Sequence, residues 1–345
     1  MRSAAEAAVL STAALLLSLL VFGGFVALRG VNPLEVFRAL LFGAFGNWFA
    51  VQFTLTQAAP LMLTGLCTAI PARAGMLVIG GEGALVMGGV VTALAGVLLA
   101  GAPPLLGIPA IALAGAAGGA AWIAVAGALR QWRGVNETIS TLLLNYIAIA
   151  LMNHLVSGPI RDFAQVLKPA SWSIPEGFRL GDMPGTSVHW GLAVGMMVCV
   201  LTWILLRKTT FGFAIDVLGG NLRAAQLAGL PVTRLVLLTT AMAGAAAGLA
   251  GAMEVMAVHG FASASLAVGF GYTGILVAFL ARQNPLAVVF VSVVLGGISA
   301  SGGLLQRRFG LPDAATLVLR GVLFIMVLAS STLYGRFRMF RDPER

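Results

Sequence analysis

The chain reads as a succession of apolar runs, each about the length a helix needs to cross the roughly 30 Å hydrocarbon core of a bilayer. Short clusters of arginine, proline and glycine separate them. The runs fall at 8–28, 50–70, 74–100, 106–128, 137–157, 188–206, 234–258, 266–281, 285–303 and 312–333, which predicts about ten membrane spans. The first run is too long for the apolar part of a secretory signal and lacks a clear small-residue cleavage site before Arg29, so it is read as an uncleaved span. Residues 158–189 are polar, with Pro159, Pro169, Pro175 and Pro184, and read as a structured loop outside the bilayer. Residues 209–233 are too polar and interrupted to span, but 222–228 has the propensity of a short helix, stopped by Gly229 and Pro231.

Several stretches break the pattern. Residues 64–89 are apolar enough for lipid yet hold Arg73, Glu82 and repeated glycines, a mixture that hydrocarbon tolerates only where protein or water surrounds it. A broken helix is expected there. In 137–157, Glu137, Thr141 and Asn145 stand at i, i+4 and i+8, along one helix face that should avoid lipid. Gly244, Gly248 and Gly251 form a small-residue face suited to close helix packing. Glu254, with His259 just beyond, lies near one end of its span, and Arg320 lies inside the last one, where it needs a carboxylate or carbonyl partner. A short echo, Thr64-Gly65-Leu66 with Arg73 and Thr273-Gly274-Ile275 with Arg282, suggests a pseudo-repeat of two halves, as in two-fold transporter scaffolds.

Composition agrees with the periodicity. Of 345 residues, 59% are hydrophobic and 10% charged, and the mean hydropathy is +0.98, which excludes a water-soluble fold of this size. The expected fold is an all-α polytopic bundle, one transmembrane domain over 1–345. The net charge of +9 is spread singly or in pairs between apolar runs, so it marks topology rather than nucleic acid. Counting Lys and Arg on alternate sides favours both termini inside, with 158–189 external and both 209–233 and the basic tail 335–345 cytoplasmic. Cys67 and Cys199 sit in apolar runs as small hydrophobes, without metal-ligand spacing.

Nucleotide-binding, zinc-protease and nucleophile-elbow motifs are all missing. The chain therefore reads as a non-enzyme without an engine, and uphill transport would draw on an ion gradient or a partner ATPase. A docking helix at 209–233 fits the second.

Four stretches carry a family resemblance. Residues 59–89, APLMLTGLCTAIPARAGMLVIGGEGALVMGG, 134–148, GVNETISTLLLNYIA, 219–230, GGNLRAAQLAGL, and 271–289, GYTGILVAFLARQNPLAVV, resemble the membrane permeases of ABC importers for nucleosides and simple sugars, relatives of the branched-chain amino-acid permeases. Where that family commonly has asparagine and glutamine around the Glu-Gly pair, this chain has Val78 and Ala84 and keeps Glu82. The resemblance implies broken central helices and a permease paired with itself or a paralogue in a bacterial inner membrane. It further implies two cytoplasmic ATPase subunits that bind the ATP, no cofactor in this chain, and solute delivery by an external binding lipoprotein.

The candidate pathway residues are Glu82, Thr141, Asn145, Glu254 and Arg320; the candidate coupling residues are Gly220, Asn221, Arg223, Ala224, Ala225 and Gly229. Structural readings stand beside these. Glu82 would cap the half-helix after Gly80-Gly81, Asn145 would bond a neighbouring helix, Glu137 would face its own helix dipole, Glu254 would sit among headgroups, and Arg223 would be a solvated charge. Two further functions stay open: a proton-coupled carrier with Glu82, Glu254 and Arg320 as relay, and a branched-chain amino-acid permease.

Overall fold

Glycines, prolines and small polar caps set the helix boundaries. Asn32 accepts from the Leu34 N–H at 3.0 Å ahead of Pro33, Asn136 accepts from Thr138 and Ile139, and Gly134 ends a long helix at φ +66°. The computed structural model describes residues 2–165, 168–312 and 314–333; the predicted basic tail at 335–345 lies outside them. Helices make up 78% of the structure and no strand occurs among the described residues, so the fold class is all-α.

In order they are α1 (Arg2–Leu28), α2 (Pro33–Phe45), α3 (Trp48–Arg73), α4 (Gly81–Leu98), α5 (Pro104–Arg133), α6 (Glu137–Ser157), α7 (Gly191–Lys208), α8 (Thr210–Gly220), α9 (Leu222–Leu227), α10 (Val232–Met253), α11 (Phe270–Leu280), α12 (Pro285–Phe309) and α13 (Ala314–Leu333). Seven described helices are long and apolar enough to span, or eight if α1 and α2, bent by 116° at their junction, count as one broken span. Every predicted run coincides with a helix, but the stretches 264–280 and 314–330 fall short of full spanning length. Two helices were not foreseen. Pro33 starts α2 in the interval between the first two predicted runs, which belonged to neither, and α8 precedes the expected short helix because the Thr209 hydroxyl accepts from Gly212 N–H and starts a turn there.

The chain forms two compact units, one from 1–54 with 294–345 and one from 55–293. In the first, α1 packs on α13, Phe22 lies 6.1 Å from Phe25 and 6.3 Å from Phe37, and the Ser301 hydroxyl donates to Leu40 O at 2.9 Å.

The second unit is organised on α4, α5 and α10, which meet through glycines. A Cβ on Gly88 would stand 2.4 Å from Gly248 Cα, one on Gly119 2.3 Å from Gly244 O, and one on Gly251 1.9 Å from Leu85 O. The predicted small-residue face is thus the seam of this unit, where backbones touch directly. Beyond it, Leu85, Val90, Ile111, Met152, Met253 and Phe178 share one apolar cluster. Phe178 comes from the 158–190 loop, which is structured as expected: Ser171, Ile174 and Leu180 N–H groups donate to Ala262, Gly260 and Met256 carbonyls. At its end α10 widens into a π-helical turn over Glu254–His259, closed by Gly260 at φ +80°.

Candidate functional site: a stitched helix break

The expected break in 64–89 is real. α3 ends at Arg73, α4 begins at Gly81, and 74–80 between them is not helical, so the predicted span at 74–100 starts seven residues late. Backbone groups freed in an apolar interior must find partners, and α6 supplies them from the polar face read at Glu137, Thr141 and Asn145. Thr138 Oγ1 donates to Leu77 O at 3.0 Å, and Glu137 Oε1 accepts from Leu77 N at 3.4 Å. Thr141 Oγ1 accepts from Ile79 N at 3.2 Å. Asn145 serves both sides of its amide, donating to Ile79 O at 3.0 Å and accepting from Gly83 N at 2.7 Å. Thr141 and Asn145 are fully buried. Helical spacing on α6 matches extended spacing along the break, and the stripe acts as a template for it.

Glu82 sits in the first turn of α4, 1% exposed, with no cation against it in the described contacts. Its carboxylate does not cap its own helix, as the sequence suggested, but another. Oε1 accepts from Gly269 N–H at 2.7 Å and Oε2 from Gly271 N–H at 2.6 Å, so Glu82 caps the start of α11 and faces the positive end of its dipole. Gly269, at φ +91°, provides the left-handed turn. Gly271 is equally constrained, since a Cβ there would stand 2.1 Å from Glu82 N. Glu82 thereby ties the start of α11 to the first turn of α4, next to the stitched break. Tyr272 and its neighbour Tyr146 are 41% and 62% exposed and form the accessible edge of this assembly.

The echoed motifs meet face to face. A Cβ on Gly274 would lie 2.6 Å from Thr64, and one on Gly65 2.8 Å from Val277. Where α3 ends, Arg73 pairs with Asp216 of α8 and donates to Leu206 O at 3.4 Å. Gly219 of α8 rests on the same spot: its Cβ would stand 2.0 Å from Arg73 O and 3.0 Å from Gly75 N. The 209–233 segment is therefore seated on the break itself. Of the residues expected for coupling, Asn221 caps α9 through the Arg223 and Ala224 N–H groups, Ala225 is buried, Gly229 takes φ +71°, and Gly220, Arg223 and Ala224 are exposed. Phe213, Leu222 and Leu227 are exposed beside them, 69%, 50% and 90%.

The other pathway candidates lie elsewhere. Buried Glu254 is 3.7 Å from His259 Nε2 in the π-helical turn, and Arg320 belongs to the other unit, where it donates to Ser299 Oγ at 2.6 Å. Glu137 also pairs with Arg130. Val78 and Ala84, the departures from the family pattern, are buried in an apolar cluster with Cys67, Ile123, Ala243 and Ala247, so they are packing positions. Sequence reasoning missed Asp216, Gly219, Thr138 and Gly269. Thr138 carried a signal, lying beside Glu137 at the start of the polar stripe. The ion pair of Asp216 joins residues 143 positions apart, beyond any local pattern.

The chain is similar to known proteins over most of its length. A model of the family described as branched-chain amino acid transport system / permease component matches residues 50–328. The chain is 30% identical over 306 residues to the guanosine ABC transporter permease protein NupP of Bacillus subtilis, covering 87% of each chain. It is 31% identical over 340 residues to the glucose ABC transporter permease protein TsgB13 of Haloferax volcanii, covering 94% of this chain and 87% of the other. Identity to the nucleoside ABC transporter permease protein NupB of Lactococcus lactis is 25% over 309 residues, covering 87% and 85%. On this match, which takes in the stitched break and the segment seated on it, the chain belongs to the branched-chain amino acid transport system / permease component family and is a multi-pass membrane permease of an ABC importer.

Proposed function

We propose that this permease carries nucleosides or related simple sugars inward across a bacterial inner membrane, driven by two cytoplasmic ATPase subunits. It pairs with a second copy or a paralogue and takes its solute from an external binding lipoprotein. The topology we favour has ten spans, counting α1 with α2 as one and adding 264–280 and 314–330, with both termini inside and the echoed motifs as traces of two related halves. The observation that carries the mechanism is the seat of α8 on the break through Arg73–Asp216 and Gly219. Residues 209–233, with exposed Phe213, Leu222, Leu227 and Arg223, dock on the ATPases. Their movement is passed at Arg73 to the 74–80 segment, and through Glu82 to the start of α11. This is rigid-body switching between outward and inward access, without covalent chemistry in the chain.

In this reading Glu82, Thr141 and Asn145 shape the pathway wall by fixing the backbone of the break, and Tyr146 and Tyr272 present their rings at its edge. Glu254 stands at the external end of α10, and Arg320 steadies α13 against α12. The guanosine, nucleoside and glucose transport named for the relatives supports the solute class. Binding of nucleosides, sugars and branched-chain amino acids to the cognate external protein tests it: nucleoside or sugar binding is expected, and selective amino-acid binding overturns the assignment. Uptake that persists in cells lacking the ATPase subunits would instead establish a proton-coupled carrier.

A further inference from the structure

The loops beyond α6 leave a cavity of about 1030 Å³ beside its last turn, at the upper end of the size range of small-molecule sites. Asn153 and Ser157 of α6 line it, with Gln165 and Lys168 from the loop that follows. Phe261, Ser263 and Ser265, between α10 and α11, complete the polar and aromatic lining. Backbone contacts fix these walls. Gly158 ends α6, Asp162 N–H donates to Ala170 O at 2.9 Å, and Ala170 is bridged to Ser263. Ala262 N–H donates to Ser171 Oγ at 2.9 Å, and the Ser263 and Ser265 hydroxyls share a hydrogen bond of 2.6 Å.

The cavity lies at the far end of α6 from Glu137, about 30 Å along the axis, and Glu137 marks the end that meets the break. Tyr146, Asn153 and Ser157 stand at i, i+7 and i+11, on one face of α6, and all three are exposed. That face runs about 10 Å from Asn153 to Tyr146, next to the Asn145 that holds the break. A gap filled only with water requires no particular lining. Here the polar lining consists of amides, hydroxyls and one ammonium group, and no lining residue is acidic. The side chains of Asn153, Ser157 and Gln165 make no hydrogen bond among the described contacts, so they are available to a ligand.

Amides and serine hydroxyls both donate and accept, as the hydroxyls of a sugar do. Phe261 adds an apolar ring on which the C–H face of a sugar, or a base, can rest. An amino acid would bring an ammonium group that no carboxylate in the lining receives, and desolvating it unpaired is costly. We propose that this cavity receives the solute, a neutral polyhydroxylated molecule such as a sugar or nucleoside, and passes it along the Tyr146–Asn153–Ser157 face toward the break. The proposal rests on the reading of the chain as a nucleoside or sugar importer, and it assigns the place on the permease where the solute is taken up.

The test uses cells expressing the complete importer, with guanosine, ribose, glucose and leucine as probes. Cys67 and Cys199 are both buried, so Ser157→Cys supplies an accessible thiol at the cavity, to be labelled from outside with a membrane-impermeant maleimide. The sugar or nucleoside that the wild type imports should slow this labelling, and leucine should not. Ser173→Cys, exposed on the same loop but not in the cavity lining, should label equally with and without solute. In parallel, Asn153→Leu/Gln165→Leu should lower uptake of that solute about tenfold, while the permease is inserted and the complex still hydrolyses ATP. The single variant Asn153→Leu, at an exposed position, is the safeguard should the pair fail to assemble. Protection without an uptake defect, a defect without protection, protection by leucine, or no labelling from outside would each overturn the proposal. A wild type that imports leucine and none of the other three would instead overturn the importer reading on which it rests.

Discussion

Two regions of the same unit solve the problem of close packing in opposite ways. The seam of α4, α5 and α10 removes side chains altogether, so that backbone lies on backbone and the helices have one way to fit. The break at 74–83 keeps its polar side chains and uses them, with α6 and Glu82 replacing the hydrogen bonds that a continuous helix would have made. The first arrangement resists displacement because any shift produces clashes or voids. Discrete hydrogen bonds hold the second, and these can be exchanged one set for another during a switch. Two kinds of contact therefore sit side by side on α4, whose glycine face is locked while its first turn reaches across to α11 through hydrogen bonds.

The comparison breaks most severely at the seam. Gly248→Leu places a side chain where backbone stands 2.4 Å away, and we expect a loss of ~3 kcal/mol or more, seen as loss of folded permease from membranes by size-exclusion profile. Next comes the cap. Glu82→Gln keeps the shape but loses the charge that strengthens two hydrogen bonds, and should cost about 1–3 kcal/mol; uptake should fall at least about tenfold, with the permease still inserted. If Glu82→Gln transports normally, the α4–α11 tie has no part in switching. Asn145→Ala should lower the thermal midpoint by a similar amount, because it strands Ile79 O and Gly83 N–H together.

Asp216→Asn removes an ion pair whose carboxylate is nearly half exposed, so stability should change by less than about 1 kcal/mol. Transport should nevertheless fall while the assembled complex still hydrolyses ATP; parallel loss of both activities would show a structural role only. The smallest effect concerns the loop before α7. Burial holds His189 below its ordinary value of 6.5, with Asp182 opposing in part, and its buried Nε2 has no hydrogen-bond partner. The native state therefore favours the neutral ring. That stability is present above pH 6.5 and is lost as the pH falls from there toward the lowered value. Hydrogen exchange in 168–190 should accelerate between pH 7 and 5 in wild type and less so in His189→Gln.

Much of this was legible in the chain because its causes are local. Apolar runs of spanning length located the helices, the Gly244/Gly248/Gly251 spacing located the seam, and the i, i+4, i+8 stripe marked a face that avoids lipid. A charged, glycine-rich stretch located the break. What the sequence did not disclose is which groups answer one another. The stripe could be read as facing a solute, yet its partners are the backbone of 77–83. Glu82 could be read as capping the helix it belongs to, yet the receptive N–H groups lie on α11. The helices α2 and α8 were missed because apolar composition reports burial in lipid, whereas their boundaries depend on single capping residues, Asn32 and Thr209.

The bond between Glu82 and Gly269 spans 187 residues, and that distance bears on how the protein is made. During synthesis α4 reaches the membrane long before α11 exists, so its carboxylate must wait without the N–H groups that will receive it. Until then a carboxylate in an apolar interior is costly, and the Gly269 and Gly271 N–H groups that offset that cost arrive only with the start of α11. A nascent chain stopped after α10 should thus be recognised as unfinished and degraded, while one that extends past α11 is sealed by a single side chain.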